Sequence, residues 1–146
     1  MKTTLIIPTL NEIDGCKAIM PQIDRKWCDE VVIVDGGSTD GTVEWLRDNG
    51  WRVIIQEKRG LGNAYRQAQA ATTGDVILTF SPDGNSRAER IPALIEKMRE
   101  GYDMVIVSRY LDGAKSDDDD ALTSWGNPLF TFMINLCFGG KYTDSL

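Results

Sequence analysis

Short apolar runs alternate with amphipathic stretches along most of the chain. Residues 3–7 form a β-branched apolar run that stops at Pro8, which predicts a buried first strand. Asn11 offers an N-cap for a helix reaching about Gln22. Residues 30–35 (Glu30-Val31-Val32-Ile33-Val34-Asp35) predict a second strand, apolar almost throughout, as parallel strands buried on both faces are. It runs into the sharp turn Gly36-Gly37-Ser38, after which Thr39 or Asp40 caps a helix reaching about Asn49-Gly50. Residues 51–56 predict a third strand, Gly60-Leu61-Gly62 a glycine turn, and residues 63–72 a helix. A fourth strand over 75–80 ends at Ser81-Pro82-Asp83-Gly84. Residues 88–99 then read as a helix with Ile91, Leu94, Ile95 and Met98 on one face, and 103–107 as a fifth strand.

Five strands thus alternate with four helices, which predicts an α/β fold with a mostly parallel sheet and right-handed crossovers. Ligands of such sheets bind at the carboxyl ends of the strands, near the point where strand order reverses. The polar clusters of this chain fall there: Pro8-Thr9-Leu10-Asn11-Glu12, Asp35-Gly36-Gly37-Ser38, Arg59-Gly60-Leu61-Gly62 and Ser81-Pro82-Asp83. Four strand ends with such clusters predict one composite site. Beyond Arg109 the pattern changes. Lys115-Ser116 opens an acidic run over 117–120, read as a solvated loop rather than a metal site. Residues 125–138 predict an apolar helix ended by Gly139-Gly140; Phe130, Ile134 and Cys137 recur at helical spacing with no basic face opposite, which favours core packing over a membrane face. No internal repeat or clean boundary divides the chain, so residues 1–146 read as one domain.

Composition narrows the chemistry. A formal charge of -6 and a pI of about 4.6 exclude a general nucleic-acid binder, which needs a basic face. One anionic nucleotide needs only a few placed cations and backbone N–H groups. The chain has no histidine, so any general base is a carboxylate or something less usual. Cys16, Cys28 and Cys137 are an odd set without metal-ligand spacing and read as reduced thiols of a cytoplasmic protein. Neither a signal peptide nor a membrane-spanning apolar run is present, so the expected location is the cytoplasm, extending to the inner face of the membrane.

Ile6-Ile7-Pro8-Thr9-Leu10-Asn11-Glu12 resembles the opening strand and loop of the family 2 glycosyltransferases. The stretch Val32-Ile33-Val34-Asp35-Gly36-Gly37-Ser38-Thr39-Asp40-Gly41-Thr42 is similar to that family's second motif. Gly60-Leu61-Gly62-Asn63-Ala64 and Val107-Ser108-Arg109-Tyr110 resemble the forms in its polyprenyl-phosphate, dolichyl-phosphate mannose synthase-like branch. The resemblance covers nearly the whole chain. It implies the GT-A fold, a Rossmann-like α/β/α sandwich. It further implies inverting transfer of a sugar from a UDP or GDP sugar to a polyprenyl phosphate or saccharide, with Mg2+ or Mn2+ as cofactor. Nucleic acid is not an expected partner; peripheral membrane association and self-association are compatible with the resemblance.

Individual residues carry this reading unequally. Asp35, at a strand end, can accept the imide N–H of a pyrimidine, as the resemblance implies; the plainer alternative is a turn aspartate stabilising Gly36-Gly37. Thr9 and Glu12 belong to the implied base and ribose contacts, and Pro8 and Gly36 to the implied nucleotide-sugar-binding set, although a first-turn glutamate such as Glu12 also suits a helix dipole. Gly60 and Gly62 let backbone approach a diphosphate at a helix N-terminus, and Arg59 or Lys58 adds a cation. Ser81-Pro82-Asp83 occupies the place of the family's Asp-x-Asp motif. Asp83 matches the metal-linked aspartate, and Ser81 departs from the pattern. Arg109 is implied to face phosphates, for which its planar fork is suited, the alternative being a structural salt bridge. Asp144, in Thr143-Asp144-Ser145-Leu146, resembles a motif that continues with Gly-aromatic-Arg, which implies a natural protein longer than these residues. Asp83, Arg109 and Asp144 are therefore the expected catalytic set.

Two other classes compete. A sugar nucleotidyltransferase expects a glycine-rich, basic loop after the first strand, where this chain has Pro8-Thr9-Leu10-Asn11-Glu12. A degenerate, non-catalytic nucleotide-sugar-binding domain is supported by Ser81 and by the ending at Leu146.

Overall fold

The computed structural model describes residues 1–108 and 121–144. The elements run β1 (Thr3–Thr9), α1 (Ile13–Ile19), β2 (Glu30–Asp35), α2 (Thr42–Asp48), β3 (Val53–Ile55), α3 (Leu61–Ala70), β4 (Val76–Thr79), α4 (Ile91–Arg99) and α5 (Ala121–Phe138). The chain forms two compact units, Met1–Met104 and Val105–Leu146.

The first unit is an α/β/α sandwich on a four-stranded parallel sheet ordered β3-β2-β1-β4. Side chains alternate across the sheet. Leu5, Ile7, Ile33, Leu78 and Phe80 pack with Cys16 and Met20 of the α1 segment, Leu46 of α2, and Ile91 and Ile95 of α4. Ile6, Val32 and Val34 point the other way, onto Ala64 and Ala68 of α3. Both faces are thus covered, which explains the unbroken apolar runs of β1 and β2. The β1-β2-β3 connections step one way across the sheet, and β3-α3-β4 returns over the opposite face. Strand order therefore reverses between β1 and β4.

Pro8 opens that switch point. β1 pairs with β2 as far as Thr9↔Asp35 but with β4 only to Ile6↔Thr79. The Ile6 carbonyl accepts from Phe80 N, so Pro8, two residues on, also faces β4 and has no N–H to extend the ladder. The strands part there. At the other end of the sheet, Glu30 accepts from Lys2 Nζ at 2.8 Å and from Thr73 N at 3.0 Å, and Asp29 accepts from Thr3 N at 2.7 Å. The Lys2 ammonium, then the Thr73 N–H, holds the Glu30 carboxyl down at about 2.

Several expectations change. Residues 103–107 form no strand: Met104, Ile106 and Val107 are exposed, and no ladder partner exists for them among the described residues. Their β-branched composition supplies propensity, but a strand is defined by its neighbour. β3 is three residues rather than six, because only those pair with β2. Asn11 does not cap α1; it adopts φ 54° and turns toward the neighbouring loop. Gly41 rather than Thr39 or Asp40 precedes α2, although Asp40 still accepts from Thr42 N at 3.0 Å. α3 begins two residues early, at Leu61. In the second unit, α5 does not bury the face expected of it. Phe130 is 52% exposed and Cys137 is exposed, whereas Gly126 and Asn127 are buried. Helical spacing identified the helix; it did not identify which side is covered. The acidic residues 117–120 lie outside the described residues.

Candidate functional site

All four strands are parallel, so the loops after them share one edge of the sheet, as the polar clusters predict. Hydrogen bonds join the first three. The Asp35 carboxylate is fully buried. One oxygen accepts from Gly37 N at 2.9 Å and Ser38 N at 2.7 Å; the other accepts from Thr9 Oγ1 at 2.9 Å and Ser38 Oγ at 2.6 Å. Four donors fill the roughly four lone-pair positions of a carboxylate. Asp35 therefore ties β1 to the Gly36–Ser38 turn and presents no vacant acceptor to a base.

Asn11 repeats the tie further out. Its N–H donates to Ser38 Oγ at 2.8 Å, and its Oδ1 accepts from Thr39 N at 2.9 Å. The left-handed backbone of Asn11, which asparagine tolerates better than most residues, aims both groups at that loop. The N-terminus of α1 is capped from the same loop: Glu12 N donates to Thr42 Oγ1 at 3.0 Å and Ile13 N to Asp40 Oδ2 at 3.1 Å. The Thr42 hydroxyl, ahead of the backbone N–H donors, lowers the Asp40 carboxyl from its ordinary value. Sequence reading looked for the cap locally and missed one lying about 30 residues away.

The third loop joins through Gln56. Its N–H donates to the Asp35 carbonyl at 2.7 Å and its side chain to the Gly60 carbonyl at 2.6 Å. Gly60 takes φ 112° and precedes α3. Lys58 and Arg59 are exposed on this loop, and the N-terminal end of α3 is exposed at Leu61 and Gly62. The fourth loop carries Ser81, Pro82 and Asp83. Ser81 Oγ donates to Asp83 Oδ2 at 2.9 Å, and Asn85 N donates to Asp83 Oδ1 at 2.9 Å. This loop rests against α1 at Gly15, beside the Glu12 carboxylate.

The structure thus brings Pro8, Thr9, Glu12, Asp35, Gly36, Gly60, Gly62, Ser81 and Asp83 to one edge, with Arg59 at its rim. Gln56, Gly15 and Thr42 were not singled out from the sequence, and Asp40 was expected only as a cap of α2. Asp144 belongs to the second unit, where it is buried and accepts from Asn127 Nδ2 at 2.9 Å. Arg109 lies outside the described residues. Cys16, under the β1 loop, has its thiol pushed up to about 12 by burial and then by Glu12, so it is not a nucleophile of this site.

Residues 4–145 match the family model described as glycosyl transferase family 2. The chain belongs to that family. It is 32% identical over 143 residues to a dolichyl-phosphate hexose transferase of Haloferax volcanii, covering 97% of this chain and 61% of the relative. Against a dolichol-phosphate mannosyltransferase of Pyrococcus furiosus it is 31% identical over 126 residues, covering 81% of this chain and 36% of that one. The fold matches glucosyl-3-phosphoglycerate synthase of Mycobacterium tuberculosis, solved with Mn2+, UDP-glucose and glycerol 3-phosphate, at a TM-score of 0.62 and 27% identity. That match covers 68% of this chain and 40% of the synthase. The chain therefore spans between about a third and three fifths of the curated relatives it matches. These likenesses place the α/β sandwich with the GT-A glycosyltransferases and the sequence with the family's polyprenyl-phosphate branch.

Proposed function

We propose that the chain carries the donor-binding and catalytic half of an inverting glycosyltransferase. It moves a sugar from a UDP or GDP sugar to a polyprenyl phosphate, with a saccharide as the alternative acceptor. One observation carries this: four successive strand-end loops converge on one sheet edge, three of them hydrogen-bonded together and the fourth seated against α1. The relatives' names support the acceptor class, and the synthase crystallised with UDP-glucose supports the donor class.

In this reading Thr9, Glu12 and the backbone of Gly36 line the nucleoside, and Asp35 acts by ordering that wall. The exposed N-terminal end of α3, with Gly60, Gly62 and Arg59, suits the diphosphate. Asp83 and the Ser81 hydroxyl are hard oxygen donors 2.9 Å apart, one carboxylate and one neutral group. They fit an Mg2+ or Mn2+ ion held jointly with substrate phosphates, as such ions commonly are. In this reading the donor diphosphate and waters supply the ligands beyond Ser81 and Asp83. An ion bound there supplies charge stabilisation to the leaving diphosphate. The acceptor oxygen attacks the anomeric carbon opposite the diphosphate, the carbon–oxygen bond to the diphosphate breaks, and the anomeric centre inverts. A phosphate acceptor is already an anion and needs no base; a hydroxyl acceptor needs a carboxylate, for which Asp144 is the candidate. Arg109 is assigned to the phosphates. The rate comes chiefly from positioning and electrostatic stabilisation.

Among the described residues no helix is long and apolar enough to cross a membrane. Trp125, Phe132, Leu136 and Phe138 of α5 are exposed, so peripheral contact with the cytoplasmic membrane face rests on these apolar side chains, without a basic face beside them. Ser81, in place of a first carboxylate, favours a second reading, a binding domain without activity. Incubation with labelled UDP- and GDP-sugars, Mn2+ and a polyprenyl phosphate separates the two. A lipid-linked sugar of inverted configuration supports transfer, while nucleotide binding with neither transfer nor donor hydrolysis supports the second reading.

A further inference from the structure

Glycine inside a helix weakens it by roughly 1 kcal/mol relative to alanine, so its presence calls for a packing or functional reason. Gly15 lies in the first turn of α1 and does not have the left-handed backbone that otherwise explains glycine. Its neighbours explain it. A Cβ built on Gly15 falls under 3.0 Å from the carbonyl oxygen of Pro82, closer than real Cβ atoms approach, and 2.9 Å from Glu12 Oε2. The first obstacle is backbone and has no rotamer by which to move aside. The Pro82 carbonyl immediately precedes Asp83. The gap left by the missing side chain is therefore where the β4 loop sits on α1.

The two partners differ in how easily they give way. On the α1 side, Cys16 and Met20 are fully buried in the main core, and the helix start is capped by Thr42 and Asp40. On the loop side, Phe80 and Pro82 are buried, but Asp83, Gly84 and Asn85 beyond them are exposed and are tied by the Ser81–Asp83 and Asn85–Asp83 bonds within the loop. A side chain at 15 therefore displaces the loop and leaves the helix in place.

We propose that Gly15 is a positioning residue, whose missing side chain seats the Ser81-Pro82-Asp83 loop on α1 and so sets Asp83 relative to the nucleoside wall at Thr9 and Glu12. The proposal rests on the donor-site reading above. It makes a selective demand: a methyl group at 15 disturbs the contribution of Asp83, otherwise meets only the movable end of the Glu12 side chain, and spares Thr9 and Gly36, which β1 and β2 hold independently through Asp35.

The test compares wild type, Gly15→Ala and the exposed α1 control Lys17→Ala in the whole chain. Calorimetry with UDP or GDP is run with and without Mn2+, alongside backbone amide spectra. The expected result for Gly15→Ala is a folded protein with metal-free nucleotide affinity within twofold of wild type. Its Mn2+ enhancement falls at least tenfold, with amide shifts concentrated at Asp83, Gly84 and Asn85; Lys17→Ala changes neither. Retention of the full enhancement in Gly15→Ala overturns the proposal, as do unmoved amides at 83–85. Failure of Gly15→Ala to fold also overturns it, because the displacement then falls on the core. If wild type binds neither nucleotide, the donor-site reading fails, and the amide shifts alone still decide whether Gly15 seats the loop.

Discussion

Removing the carboxylate of Asp35 should cost stability before it costs recognition. Asp35→Ala strands four donors. The Thr9 hydroxyl is buried and Ser38 is half-buried, whereas Gly37 is exposed and its N–H can turn to water. Counting about 1–3 kcal/mol for each donor left buried, and little for one that reaches water, gives a loss of about 3 kcal/mol. For a unit of this size that corresponds to a fall in melting temperature of roughly 14 °C. Asp35→Asn keeps one oxygen for the two backbone N–H groups and offers its amide to hydroxyls that can turn to accept, so its cost is about 1 kcal/mol. Urea unfolding followed by tryptophan fluorescence measures both, as a shift in midpoint at constant slope. The reasoning is refuted if Asp35→Ala loses less than about 0.5 kcal/mol, the range of an ordinary surface change. Loss of nucleotide binding at unchanged stability would instead make the carboxylate a direct base ligand.

Two further outcomes follow from the electrostatics. Glu30 sits at about 2 in the folded chain against an ordinary 4.5, so its contribution is fully present above pH 4.5 and is lost as pH falls toward 2. Glu30→Gln should flatten the stability profile across that interval, and an unchanged acid slope would refute the assignment. Burial pushes the Cys16 and Cys28 thiols up to about 12 and 11, and both are enclosed, whereas Cys137 is exposed. A thiol reagent at pH 8 should label one cysteine quickly and the other two only on unfolding; rapid labelling of Cys16 would contradict the packing under the β1 loop.

The sequence made the sheet legible where burial leaves a strong mark. β1 and β2 are covered on both faces, and their apolar runs are unbroken for that reason. The site's location followed from the same logic, since parallel strands put every polar loop on one edge. What escaped depends on partners distant in sequence. The cap of α1 comes from Asp40 and Thr42, and nothing near Asn11 announces it. Residues 103–107 have the composition of a strand and lack a neighbour. The covered side of α5 is set by Gly126 and Asn127, small and polar residues that a search for apolar spacing passes over. Gly15 did carry a signal, a glycine inside a helix, but its meaning lay in the Pro82 carbonyl.

On the reading proposed above, this sheet edge is a nucleotide-sugar donor site in which Asp83 holds the metal without a second aspartate. Calorimetric titration with UDP, GDP and CDP, with and without Mn2+, in wild type and Asp83→Ala tests it most directly. One nucleotide should bind, Mn2+ should tighten it, and Asp83→Ala should abolish the tightening while leaving metal-free binding. Absence of binding by every nucleotide under both conditions would contradict the donor site, and Mn2+ enhancement surviving in Asp83→Ala would contradict the role given to Asp83.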